Sequence, residues 1–476
     1  MILTLAEIAA ATGGTLHDTP DPQLRVTGTT SSDSRQIGPG GMFVALPGAR
    51  VDGHDFVAQA VTAGAVCVLA ERPVGVPAIV VDDVATALGR LAQHVLTRTE
   101  AQVIAVTGSA GKTSTKDLLA QVLAHHGVTV ASPQSFNSKF GLPLTVLRAQ
   151  ENTRYLVLEM GARYQGDIAH LASLATPRIG LVLNVGDAHL AMFGGRDQIA
   201  AAKGELVEAL PPAAEGGVAV LNADDPRVAA METRTPARVV RFSAHPEREA
   251  EIRATSIELN AGRAAFTLHT PHGTAPVRLR GLGAHQVHNA LAAAAGAHIL
   301  GMATDQIAQA LSEAEPKAQG RLEPLEQKRA GLTIINDAFN ASPASMRAAL
   351  HTLASIGTNR RTIAVLGEMR ELGDQALSTH ADIGRLLGEL AIDILVTVGT
   401  TNEVTTLATH AVTAHPNLRT EATDTPDALL PLLKSLLQPG DVVLVKASRR
   451  VGLETFGQTL HSHLQDLEIS APDRRG

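Results

Sequence analysis

Apolar and polar positions change period several times along the chain, and each change marks an element. Near the N-terminus "LAEIAAATGG" has helical spacing, while "GGMFVALPG", "AVCVLA" and "AIVVDD" read as strands between turn clusters. These runs predict a small α/β domain over residues 1–98. From Ala101 the order becomes strand, glycine turn, helix: "AQVIA", then "VTGSAGKTSTKD", then "TSTKDLLAQVLAHHG". Buried-strand runs follow at "YLVLEMG", "IGLVLNVG" and "GGVAVLNADD", with helical runs between them, which is the signature of a parallel sheet. Residues 251–281 alternate as antiparallel strands do, and "HQVHNALAAAAGAHIL" reads as a helix. At "SEAEPKAQGRLEPL" the pattern breaks at Pro and Gly. Beyond it "LTIIND", "TIAVLG", "DILVTVG" and "DVVLVKAS" predict a second α/β series, Rossmann-like but without a phosphate loop. The expected architecture is α/β in three domains: 1–98, a central parallel-sheet domain over 99–317, and a Rossmann-like domain over 318–476. The tail "ISAPDRRG" is expected to fray.

Composition narrows this picture without changing it. With 476 residues the chain is too long for one compact core. A 45% apolar fraction with 2% aromatics and no Trp points to Ala/Val/Leu packing. Forty basic against 47 acidic residues leave a net charge of -7, which argues against a nucleic-acid partner. The single cysteine, Cys67, sits in an apolar run and reads as a small buried hydrophobe in a reducing cytoplasm. "MILTLAEIAAATGG" lacks a basic start and carries Glu7, so it is not expected to be a secretion signal, and no uninterrupted apolar run reaches membrane-spanning length.

The candidate chemistry begins in "TGSAGKTS". Gly108 and Gly111 let the backbone N–H groups of residues 108–114, through Ser109, Ala110 and Ser114, turn toward an anion at a helix start. Lys112 supplies a mobile cation for outer phosphates and Thr113 a hydroxyl for Mg²⁺. Val106 stands where the full phosphate-loop pattern has its first glycine, so this is a shortened loop. Magnesium needs further oxygen ligands, and Glu159 closes a strand at the crevice end of the sheet. His189 in "NVGDAHLAMFG" and Lys203 in "AAAKGELVEAL" have, unaided, structural readings. Asp224 and Asp225 in "NADDP" read either as ligands or as a turn before Pro226, the turn being plainer.

Taken together, these residues resemble the Mur ligases, ATP-dependent amide-bond formers of peptidoglycan precursor synthesis, over nearly the whole chain. "TGSAGKTSTK", "LEMGA", "GDAHL" and "AKGE" match the family's ATP and metal motifs in order. The resemblance implies ATP contacts at Asn289, Arg321 and, for the ribose, Asp337, and two Mg²⁺ ions. It gives His189 a metal and Lys203 modification by CO₂ to a carbamate, an anionic oxygen ligand where an ammonium would repel the ion. The segment starting "SSDSRQIGPGG" is similar to the family's UDP-sugar receiver, with Ser32, Asp33, Ser34 and Arg35 most characteristic; Asn137 and Thr145 in "SFNSKFGLPLT" are further expected substrate contacts. "NDAFNASPASM", "VLGEMRELG" and "GDVVLVKASR" resemble the subgroup that joins D-alanyl-D-alanine to UDP-N-acetylmuramoyl-tripeptide. The expectation is therefore a cytoplasmic, monomeric ligase that works through an acyl phosphate. Ser138, Phe339 and Ala447 depart from the residues common at those positions (Asn, Tyr and Gly). A sister amide ligase lacks the "SSDSR" and "DAFNASP" segments, and a regulatory NTPase leaves the C-terminal α/β series unexplained.

Overall fold

The computed structural model describes residues 2–48, 51–187, 190–327 and 330–465. The C-terminal tail and His189 lie outside those residues. Three main sheets organise the rest. In the first, Thr30–Ser31, Gly41–Val44, Ala65–Ala70 and Ala78–Val80 are parallel neighbours, and Thr15–His17 adds antiparallel to the last of these. The helix Leu5–Thr12 beside it is started by a capping box: the Thr4 hydroxyl accepts from the Glu7 N–H, and the Glu7 carboxylate accepts from the Thr4 N–H. Gly13, at φ 72°, ends it.

The central sheet has nine strands. Gln102–Thr107 lies between Tyr155–Glu159 and Ile179–Val182, with Val218–Asn222 and Arg238–Ser243 beyond, all parallel. Such strands are covered on both faces, which is why they read as unbroken apolar runs. The hairpins of Ile252–Asn260, Arg263–Thr270 and Gly273–Leu282 extend one edge, as the alternation there predicts. The helices Lys112–Ala124 and Gln286–Ile299 cover one face, their Leu119, Val122, Leu123, Leu291 and the alanine run 292–295 filling the core against Ile104, Val106 and Val157.

The other face shares its core with the N-terminal domain. Leu88, Leu91 and Val95 of the helix Val84–Leu96 join one cluster with Leu156, Leu158, Ile168 and Leu171. Gly89 permits this approach, since a Cβ there would lie 2.9 Å from Leu174 Cδ2. The third sheet, of six strands, places Leu332–Asn336, Val442–Lys446, Thr362–Gly367, Ile394–Val398 and Arg419–Thr423 in parallel order with antiparallel Glu323–Gln327 at the edge. It carries a separate core on each face.

Cys67 is 1% exposed, and burial pushes its thiol up to about 12. In mildly alkaline buffer the folded chain should therefore alkylate at least about a hundredfold more slowly than the denatured chain. Timed labelling with iodoacetamide checks this, and comparable rates would contradict the burial. Among the described residues no helix is long and apolar enough to cross a membrane.

Candidate active site

The strand Gln102–Thr107 delivers the loop at the carboxyl end of the central sheet, and the helix Lys112–Ala124 leaves it. Gly111 caps that helix at φ 82°, a conformation that disfavours a side chain, and a Cβ there would lie 2.4 Å from Asn289 Oδ1. Only glycine fits. Asn184 clamps the other side: its Oδ1 accepts from the Ala110 N–H (2.9 Å), and its carbonyl accepts from the Ser109 N–H (3.0 Å). The Ser109 hydroxyl in turn accepts from the Gly186 N–H at 2.9 Å. The loop is thus held from behind, before any ligand arrives.

Lys112 Nζ donates to the Gly108 carbonyl at 2.7 Å, folding the cation over the loop. Burial lowers its pKa, opposed by Glu159 and assisted by Arg321. The Thr113 hydroxyl donates to Glu159 Oε2 at 2.8 Å, and Asn137 Nδ2 donates to Glu159 Oε1 at 2.6 Å. Glu159 is 1% exposed, so Thr113 and Asn137 satisfy a buried carboxylate. A hydroxyl and a carboxylate in contact beside a phosphate loop form the hard-oxygen donor set that suits Mg²⁺.

The C-terminal sheet supplies the opposite wall. Arg321 donates to the Ser135 hydroxyl at 2.9 Å, which is itself 3.3 Å from that of Thr113. Its guanidinium lies 4.4 Å from the Phe339 ring centroid, and that of Arg449 lies 5.5 Å away. A phenyl ring carries such contacts without a hydroxyl, so Phe339 fits where Tyr is common. Asp337 Oδ2 pairs with buried Lys446 Nζ at 2.7 Å, and its Oδ1 accepts from the Leu322 N–H. Burial raises the Asp337 pKa, against the pull of Lys446. Ala447 is tolerated because Gly367 opposite has no Cβ; one would lie 2.9 Å from Ala447 Cβ. A cleft of about 620 Å³ is lined by residues 109–114, Asn137 and Glu159 on one side and Arg321, Asp337, Phe339, Lys446 and Arg449 on the other.

Asn289 stands behind the loop, 5% exposed, its Oδ1 accepting from the Thr115 hydroxyl and its Nδ2 donating to Gln286. Thr145 is fully buried, with its hydroxyl on the Gly141 carbonyl, and does not reach a cleft. The Ser138 hydroxyl accepts from the Gly141 N–H at the start of the helix Gly141–Val146. A second cleft, of about 1080 Å³, opens between residues 27–31 and Gln36 of the N-terminal sheet and Pro133, Phe136, Leu147 and Arg148 of the central domain. Ser32, Asp33, Ser34 and Arg35 fall between Ser31 and Gln36 in sequence but are not among the residues that line this cleft. Asp33 caps the turn at Arg35 and pairs with its guanidinium, which lowers the Asp33 pKa, and Ser34 is buried on Gln59 Oε1.

Lys203 is 5% exposed on the helix Arg196–Glu208 and has no hydrogen-bond or ion-pair partner among the described residues. Burial, with Lys112 adding to it, pushes its pKa well down. Glu205, two residues on, accepts from the N–H groups of Gly166 and Ala169 and fixes the start of the helix Asp167–Ala175. Asp225 caps the short helix Pro226–Ala229, and Asp224 accepts from the Ser243 hydroxyl, the Ala244 N–H and His288. The cap on Pro226–Ala229 is a turn contact, whereas the Asp224 contacts and the Val185 N–H that donates to Asp225 tie the pair to distant segments.

A loop at the switch point of a parallel sheet, facing a second α/β domain across a cleft, defines a nucleotide-dependent enzyme of several substrates. Residues 29–96 match the Mur ligase family catalytic domain, residues 106–297 the Mur ligase middle domain, and residues 320–449 the Mur ligase glutamate ligase domain. The UDP-N-acetylmuramoyl-tripeptide–D-alanyl-D-alanine ligase of Mycobacterium tuberculosis is 47% identical over 96% of this chain and 97% of that protein. The enzyme of the same name from Escherichia coli is 35% identical over 91% and 93%. The crystal structure of MurF from Acinetobacter baumannii superposes with a TM-score of 0.83 at 34% identity, covering 97% of this chain and 99% of that one. MurF from Thermotoga maritima in complex with ADP gives 0.76 at 28% identity, covering 92% and 98%. The chain belongs to the Mur ligase family. It is an ATP-dependent ligase.

Proposed function

We propose that the chain joins D-alanyl-D-alanine to UDP-N-acetylmuramoyl-tripeptide, with ATP converted to ADP and phosphate, as a monomer in the cytoplasm. The observation that carries this reading is the loop cleft itself: Lys112 and Thr113 of the glycine loop on one wall and side chains of the "NDAFNASP" and "KASR" segments on the other. The cleft against the N-terminal sheet supports this reading as the candidate receiver of the UDP-sugar substrate.

In this reading the loop N–H groups and Lys112 hold the triphosphate, while Arg321 and Asp337 meet the nucleoside end. The terminal carboxylate of the tripeptide attacks the γ-phosphorus; an oxygen–phosphorus bond forms as the bond to ADP breaks. Two anions must approach, so neutralisation is the main task, and this reading assigns it to Lys112 and the loop N–H groups. Thr113 and Glu159 would hold Mg²⁺, with Lys203 as carbamate and His189 assigned to a second ion; the metal supplies charge neutralisation on the phosphates. The amine of D-alanyl-D-alanine then attacks the acyl carbon, loses a proton, and the carbon–oxygen bond to phosphate breaks. The opposed walls keep water from the acyl phosphate.

Phosphate release measured with ATP and each substrate alone, then together, tests the reading. Release should require both a UDP-muramoyl tripeptide and D-alanyl-D-alanine and should match the pentapeptide formed. Turnover of ATP alone would instead indicate a regulatory NTPase, and release with a free amino acid in place of the dipeptide a sister ligase.

A further inference from the structure

Lys116 is 1% exposed, yet no step above uses it. It lies on the helix that leaves the phosphate loop, one turn beyond Lys112. Its Nζ donates to Asp117 Oδ1 at 2.5 Å and to the Ser132 carbonyl at 2.6 Å. Ser132 follows the edge strand Thr129–Ala131, and its N–H donates to the Val157 carbonyl at 3.1 Å. The Ser132 hydroxyl accepts from the Glu159 N–H, also at 3.1 Å. A continuous path therefore runs from the loop helix, through Lys116 and Ser132, to the backbone of the residue whose carboxylate meets Thr113.

A buried ammonium is a costly way to join a helix to a strand, because an apolar side chain of the same length fills that volume without desolvating a charge. What an apolar chain cannot do is fix a carbonyl at hydrogen-bond distance. We propose that Lys116 is a positioning residue: through Ser132 it sets the Thr113–Glu159 pair for a divalent cation, and it touches neither nucleotide nor peptide. This rests on the reading of Thr113 and Glu159 as the metal-holding pair.

The test measures Mn²⁺ binding by paramagnetic resonance with ADP present, ADP binding without metal, and hydrogen exchange of the Glu159 amide. Lys116→Met should weaken Mn²⁺ affinity about tenfold, as loss of a group supporting a metal ligand does, and speed Glu159 exchange. ADP affinity without metal should stay within about twofold, since Lys112 and the loop N–H groups are untouched. Ser132→Ala removes only the link to Glu159 and should move Mn²⁺ affinity and exchange the same way, which keeps the question open to measurement if Lys116→Met fails to fold. Unchanged Mn²⁺ affinity in both variants overturns the proposal. So does a parallel loss of metal-free ADP affinity, which would mark general loosening of the loop. Glu159→Gln serves as the control: if it binds Mn²⁺ as the unsubstituted chain does, the metal reading fails and removes the proposal's premise, whereas weakening in Glu159→Gln alone rejects only the role of Lys116.

Discussion

Lys112→Met should yield a folded protein whose amide-forming rate is lower by on the order of 10³-fold, equivalent to about 4 kcal/mol of lost transition-state stabilisation. The side chain already bends over the loop, its Nζ on the Gly108 carbonyl at 2.7 Å, so a triphosphate arriving in the loop meets the ammonium at once. Methionine matches the stem and keeps the packing but cannot offset the charge that gathers when a carboxylate meets a γ-phosphate. Because that charge peaks during transfer, kcat should fall more than the KM for ATP rises. Lys112→Arg should recover little, since a planar guanidinium is a poor substitute for a compact ammonium in a tight loop. Steady-state phosphate release, paired with a thermal melt to confirm folding, measures both. A Lys112→Met enzyme with near-normal kcat would mean that the phosphates do not lie in this loop.

The legible part of this site is the part encoded by short, contiguous runs. Strand, glycine turn and helix around 102–124 announce themselves, and a charged residue closing "YLVLE" can be placed at the crevice because parallel strands end there. The partners that complete the geometry come from far along the chain. Asn184 holds a loop 74 residues away, and Ser135 joins Thr113 to an arginine 186 residues later, contacts that leave no local period to read. The same limit explains Asn289 and Thr145. Their motifs can be recognised, but which way each side chain faces depends on packing: Asn289 turns into the back of the loop because Gly111 leaves room for it, and Thr145 turns to its own helix.

Packing between domains was equally invisible in the sequence. Strands and helices of the N-terminal 98 residues are legible one by one, but the helix Val84–Leu96 gives no sign that its apolar stripe continues into the core of the central domain. A shared core makes relative motion of those two units expensive. The cores of the C-terminal sheet take in Leu282 from the central domain, and the two domains also meet at Ile356 against Gly262 and at the polar bridge from Ala191 N–H to the Glu371 carbonyl. Closure around the substrates is therefore expected of the C-terminal domain, turning on the Pro/Gly-containing segment 314–322.

Lys203→Ala should also lower turnover by on the order of 10²–10³-fold, and here the proposed reason is an anion that the sequence does not spell. A buried ammonium without a partner, beside a second cation, is among the least stable arrangements a helix side chain can adopt. Burial and Lys112 both favour the neutral amine, and a neutral amine is the form that attacks CO₂. In the proposed carbamate the nitrogen–carbon bond would form, one proton would leave, and a site that disfavours a positive charge would gain an anion within the electrostatic reach of Lys112. That exchange would convert a repulsive pair into an attractive one and would supply a hard oxygen ligand. Acetate or propionate should then restore part of the Lys203→Ala rate, because the truncated side chain leaves room for an external carboxylate, and no such recovery should occur in the unsubstituted enzyme. Isotope-labelled bicarbonate should give a carbamate carbon signal in the native chain that Lys203→Ala lacks. Full activity in Lys203→Ala would remove the carbamate from the mechanism and leave Lys203, without a partner among the described residues, as a packing feature of the helix Arg196–Glu208.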